Sequence, residues 1–222
     1  MCGRFVFDPT TNFYERFRIR NRVSELTPRY NVAPGQLMPI VIRKSPNQVM
    51  LMKWGLIPHW AKDEKIGYKM INARLETLGE KPSFKNSLKT KRCLVPASGF
   101  YEWKSSKKNK IPYYIHIAHE PLFAFAGLYD VWRNQNDEDV YSFTIITRDA
   151  TLQMAAIHDR MPVILEHGSE DKWLKPELTD SGEILNLLNL RQENDALEIY
   201  EVSTLVNKPQ NDSKDLVQPV DK

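Results

Sequence analysis

The chain has 222 residues, 41% of them hydrophobic and 27% charged, with five Trp, nine Tyr and nine Phe. That much apolar material builds a core, which excludes a mainly disordered chain, and the length fits one large domain. Thirty-one Lys and Arg against 28 Asp and Glu leave a net charge of +3, which neither demands nor excludes a nucleic-acid partner.

The apolar runs stay far short of the ~18 residues a membrane helix needs, so no span and no membrane partner are expected. Met1-Cys2-Gly3-Arg4-Phe5 lacks the apolar run of a secretory signal, and the chain is expected in the cytoplasm. Two cysteines, Cys2 and Cys93, make no disulfide framework and are too few for a cysteine zinc site. Nine glycines form no phosphate-binding loop, so no cofactor and no metal are expected.

In chain order, residues 2–7 predict a short strand with a turn at Asp8-Pro9. Asn12 and Glu15 form a capping-box pattern ahead of a helix that carries Phe13 and Phe17. A proline-punctuated loop covers 27–35, and the runs 40–43 and 49–54 read as a hairpin around Ser45-Pro46-Asn47. Further strands are expected over 92–96, 100–104, 113–117, 122–132 and 140–147, with exposed tips at 105–110 and 134–139. Short helices are expected near 149–157, 169–174 and 181–190, and the tail from about 207 is polar apart from Leu216-Val217. Non-consecutive strands with scattered helices, and not alternating βαβ units, predict an α+β fold, mostly antiparallel sheet with a barrel-like core. One domain is expected over residues 1–222.

Cys2 is either a chance residue after the start or a nucleophile. With Met1 removed, beside the small Gly3, it would carry an α-amine and a thiol on adjacent carbons. Their ordinary pKa values, ~7.7–8.0 and ~8.5, leave both partly nucleophilic near neutrality. Such an aminothiol can attack an acyl carbon, or it can close a thiazolidine on an aldehyde. Glu102, in Phe100-Tyr101-Glu102-Trp103, is a solvated strand carboxylate or an acid–base group. His158 is structural or a proton carrier, Asn72 a turn residue or a non-titrating orienter, and Trp54 a core or a base-stacking residue. Cys93, in an apolar run, reads as a small buried hydrophobe.

Seven segments occur in series: Met1-Cys2-Gly3-Arg4-Phe5, Tyr30-Asn31-Val32-Ala33-Pro34, Trp54-Gly55-Leu56-Ile57-Pro58, Ile71-Asn72-Ala73-Arg74-Leu75-Glu76-Thr77, Arg92-Cys93-Leu94-Val95-Pro96-Ala97, Gly99-Phe100-Tyr101-Glu102-Trp103 and Ile157-His158-Asp159-Arg160-Met161-Pro162. Together they resemble the SOS-response-associated peptidase family, whose members form DNA–protein crosslinks at abasic sites. The resemblance runs from residue 2 to about residue 219. It implies removal of Met1 by the protein's own peptidase activity and capture of the aldehyde of an abasic site in single-stranded DNA by Cys2, as a thiazolidine. It implies a catalytic set of Cys2, Asn72, Glu102 and His158, with Glu102 at the terminal amine, His158 assisting sugar-ring opening and Asn72 orienting the terminus. It places Arg4, Trp54, Arg74, Thr147 and Arg160 against the DNA, in a monomer associated with the nucleoid.

The lysines at 85, 89 and 91 with Arg92, and those at 104, 107, 108 and 110, are DNA surfaces or solvated edges. Two other functions stay open. An N-terminal-cysteine hydrolase acting on amides shares the nucleophile but needs an oxyanion hole. A non-covalent single-strand-binding module shares the arginines but has no use for Met1 removal or Glu102.

Overall fold

The computed structural model describes residues 2–9, 12–24, 26–44, 46–106, 109–189 and 197–220. Met1, Ser45 of the expected hairpin turn, Lys107 and Lys108 of the loop tip, and Leu190 at the end of the last expected helix lie outside the described residues. The first half of the chain gives β1 (Arg4–Phe7), α1 (Phe13–Arg16), β2 (Arg29–Val32), β3 (Leu37–Arg43), β4 (Asn47–Trp54), β5 (Asn72–Arg74) and α2 (Pro82–Thr90). The middle is strand after strand: β6 (Arg92–Ala97), β7 (Gly99–Ser105), β8 (Lys110–Ile117), β9 (Phe123–Arg133) and β10 (Asp139–Asp149). Then come α3 (Leu152–Ala155), β11 (Arg160–Pro162), β12 (Ile164–Leu165), α4 (Ser169–Trp173), α5 (Ser181–Asn189) and β13 (Leu197–Glu201).

Five strands close a ring. β10 pairs β4, β4 pairs β3, β3 pairs β6, β6 pairs β9, and β9 returns to β10. All but the β10–β4 pairing are antiparallel, so the expected antiparallel, barrel-like α+β fold is what forms. β6 is buried along its whole length and β9 over its first six residues, which explains their unbroken apolar sequences. A second sheet, β13-β8-β7-β1-β2, is antiparallel throughout. Phe5 of β1 joins the two, its ring lying 5.1 Å from Trp54 and 6.1 Å from Phe125.

Several regions depart from the sequence reading: β2 forms inside the expected loop 27–35, and β13 forms where no strand was expected. α2 was not expected, because its exposed lysines hide the apolar pair Phe84 and Leu88 that it buries. Arg92, grouped with those lysines, is buried instead; its guanidinium donates to the carbonyls of Leu88, Lys89, Trp173 and Lys175. The polar tail is packed as well. Residues 203–219 form a strap whose Val206 and Leu216 sit with Val6, Tyr101 and Tyr114. The buried amide of Asn31 holds it, donating toward the carbonyls of Val206, Lys208 and Asn211 at 3.2, 3.0 and 2.7 Å.

Residues 56–71 leave the ring after β4 and return to start β5. Gly55 has φ of +122°, a conformation side chains resist, and a Cβ there would meet the Gly67 carbonyl oxygen at 2.7 Å. A Cβ on Gly67 would meet the Gly55 oxygen at the same distance. This backbone crossing sets the return path, and the Trp54 indole fixes its end by donating to the Ile71 carbonyl at 2.9 Å. Asn72 is the next residue. Gly67→Ala is therefore expected to lower stability by roughly 1–3 kcal/mol, since neither backbone can yield easily. Thermal unfolding measures it, and an unchanged melting temperature would mean the crossing is looser than described.

Candidate functional site

The start of β1 lies where the two sheets meet. β1 runs antiparallel to β7 with Arg4 opposite Tyr101, which brings Cys2 alongside the part of β7 that carries Glu102. Cys2 is buried, its thiol 3.8 Å from the Arg4 carbonyl. From the other sheet, Asn72 Nδ2 donates to the Cys2 carbonyl at 2.8 Å. Asn72 is aimed by β5, which pairs with β10 in register Ile145 to Asn72 and Thr147 to Arg74. Its Oδ1 is buried with no hydrogen-bond partner among the described residues.

Glu102 is 2% exposed. Strand alternation did put it opposite Tyr101 and Trp103, but the face it points to is interior. Burial pushes its carboxyl above the ordinary range, and positive groups around it, His158 among them, offset part of that rise. Burial also pushes the Cys2 thiol far up, and the Glu102 charge adds to it. His158 follows α3, its amide donating to the Met154 carbonyl at 3.0 Å. The Arg160 amide lies 3.0 Å from His158 Nδ1, and Asp159 Oδ1 lies 2.9 Å from the same nitrogen. Cys2, Asn72, Glu102 and His158, spread over 157 positions of sequence, are thus brought to one place by a hydrogen bond and by mutual electrostatics.

The residues expected to touch DNA divide. Arg74 is exposed at the end of β5, beside Thr147 on β10. Thr147 is buried, its hydroxyl without a partner among the described residues. Arg4 donates to Asn31 Oδ1 at 2.7 Å and to the Val206 carbonyl at 2.8 Å, both neutral, so its charge is not cancelled by those bonds. Arg160 is held by both oxygens of Glu76 and by Asp149 at 2.5 Å, which occupies its guanidinium with carboxylates. Trp54 is the clear departure. At 1% exposure it offers no ring face to a base; it stacks on Phe143 and packs edge-on against Phe5.

Sequence reading missed the partners that hold these groups. Glu76 stood inside a quoted segment, three residues beyond Ala73, and its pairing with Arg160 across 84 positions left no local signal. Asp159 stood between His158 and Arg160, and adjacency alone could have flagged it. Asn31 also stood in one of the seven segments, and its bond to the strap reaches across 175 positions, while its bond to Arg4 spans 27.

The comparisons with known proteins point one way. Residues 1–209 match the family model described as SOS response associated peptidase (SRAP). The abasic site processing protein YoqW of Bacillus subtilis (strain 168) is 48% identical over 98% of this chain and 99% of its own length. The abasic site processing protein HMCES of Xenopus tropicalis is 35% identical over 87% of this chain and 66% of its own length. A crystal structure of a protein from Bacteroides thetaiotaomicron has a TM-score of 0.88 and 33% identity, covering 99% of this chain and 100% of that one.

Glu102 generates a prediction about stability. Its carboxyl is raised in the folded chain, so folding favours the protonated form. That contribution is full below the ordinary carboxylate range and is lost as pH rises through the raised value. Glu102→Gln should remove this slope and raise the melting temperature by a few degrees at neutral pH, where the native carboxylate is costliest. Melting curves from pH 4 to 8 check it; equal slopes in both proteins would contradict the burial argument.

Proposed function

The chain belongs to the SOS response associated peptidase family, and from that membership we propose that it captures abasic sites in single-stranded DNA through Cys2. The observation that carries the reading is the clasp on Cys2: its carbonyl is held by Asn72 and its thiol stands in the field of the buried Glu102. In this reading Met1 is removed by the protein's own peptidase activity, so Cys2 becomes the terminus with an amine beside its thiol.

The sequence of events follows from the groups present. His158 gives a proton to the sugar ring oxygen as the ring opens to the aldehyde. The Cys2 amine adds to the aldehyde carbon, one N–H proton passes to the carbonyl oxygen to give the carbinolamine, and Glu102 carries the second N–H proton to the departing hydroxyl, which leaves as water. The thiol then adds to the imine carbon while its proton passes to nitrogen, closing the thiazolidine. Aldehyde and aminothiol become thiazolidine plus one water. The raised thiol supports this order: a thiol kept protonated by burial is a poor first nucleophile, whereas amine attack needs no thiolate. The alternative of an N-terminal-cysteine hydrolase shares the nucleophile and differs in its electrophile, an amide in place of the aldehyde. Arg4 and Arg74 supply positive charge for phosphate, and Arg160 contributes to the extent that strand binding displaces its carboxylates, while the buried Thr147 offers its hydroxyl to no strand.

The test is intact-mass analysis before and after mixing with an abasic single strand. The purified protein should lack one methionine, and the adduct should weigh protein plus strand minus one water. Cys2→Ser should still form a borohydride-trappable imine but lose the heat-resistant adduct. Glu102→Gln should slow adduct formation by about 10²–10⁴-fold, the usual weight of an acid–base group. A chain that retains Met1 and still crosslinks, or that consumes peptide amides and ignores the abasic strand, would overturn the reading.

A further inference from the structure

We propose that Asp159 is a positioning residue that selects the tautomer in which His158 can transfer a proton; the inference rests on the role given to His158 above. One ring nitrogen, Nδ1, faces two groups of opposite kind, the Arg160 amide at 3.0 Å and Asp159 Oδ1 at 2.9 Å. A single nitrogen cannot satisfy both. With a lone pair on Nδ1 it accepts from the Arg160 amide, and the ring's one proton sits on Nε2. Giving that proton away would leave an imidazolate, so in this state Nε2 is neither an acid nor a base near neutrality. With hydrogen on Nδ1 the ring donates to Asp159, and Nε2 is left to gain and lose a proton between neutral and imidazolium forms. The carboxylate state works; the amide state idles.

The surrounding charges support Asp159 as the deciding partner. Glu102 acts on the ring from β7. The Arg160 guanidinium, close in sequence, is turned to Glu76 and Asp149 and so is neutralised. Asp159 is the carboxylate in contact with the ring nitrogen, and its side chain is 86% exposed. Screening by solvent keeps the bias modest, so the choice stays reversible during turnover. In ring opening, the C–O electron pair goes to the ring oxygen, which takes the Nε2 proton, while the anomeric hydroxyl gives its proton to water. His158 ends neutral, with Nδ1–H still on Asp159, ready to be recharged.

The experiment uses the full chain with ¹⁵N-labelled histidine, because ring-nitrogen shifts report which nitrogen carries hydrogen. Asp159→Asn presents an amide N–H that can donate to Nδ1 beside the Arg160 amide, and neutral His158 should move toward the Nε2–H tautomer. Adduct formation on an abasic single strand should fall by up to about fivefold, the scale of an exposed charge pair. Affinity for the intact strand should not change, and Asp159→Glu should restore tautomer and rate together. An unmoved tautomer in Asp159→Asn overturns the proposal, and so does a moved tautomer with an unmoved rate. If the wild-type chain forms no adduct at all, the functional reading fails, while the tautomer measurement still decides whether Asp159 governs the ring.

Discussion

An ionised carboxylate loses most of its hydration when 2% of its surface is left to water, and Glu102 stands under that constraint. The neighbourhood is arranged around it. Neighbouring positive groups, His158 among them, offset part of the cost, and burial, with the Glu102 charge adding to it, pushes the Cys2 thiol up as well. The scaffold meets the constraint by joining two sheets at this point. β7 carries the carboxylate, Cys2 stands two residues ahead of β1, and β5 carries the amide that holds the Cys2 carbonyl.

Much of the fold was legible because the strands advertise their burial. The hairpin of β3 and β4 and the series from β6 to β10 follow apolar runs and polar tips that need no tertiary information. α2 was hidden by lysines on its exposed side, and the tail by a polar composition that conceals two apolar anchors, Val206 and Leu216. In both places packing is done by few residues, below what a pattern of period 2 or 3.6 can reveal.

The site was legible as residue types and family likeness, but not as charge balance. An arginine two residues from His158 reads as a cation for phosphate; only the fold shows Glu76 and Asp149 already on it. Trp54 reads as a flat surface beside a motif, yet its use is internal. It braces Phe5 of β1 with its ring and the end of the 56–71 excursion with its N–H, so one side chain aligns the two strands that supply Cys2 and Asn72.

The strap over β1 has a consequence for the order of events during synthesis. Arg4 is held by the carbonyl of Val206, and Asn31, its other partner, is itself fastened by carbonyls of Lys208 and Asn211. A ribosome makes these anchors about two hundred residues after it makes Cys2. Through most of translation the first strand therefore lacks the clamp that the strap gives Arg4 and Asn31 in the folded chain.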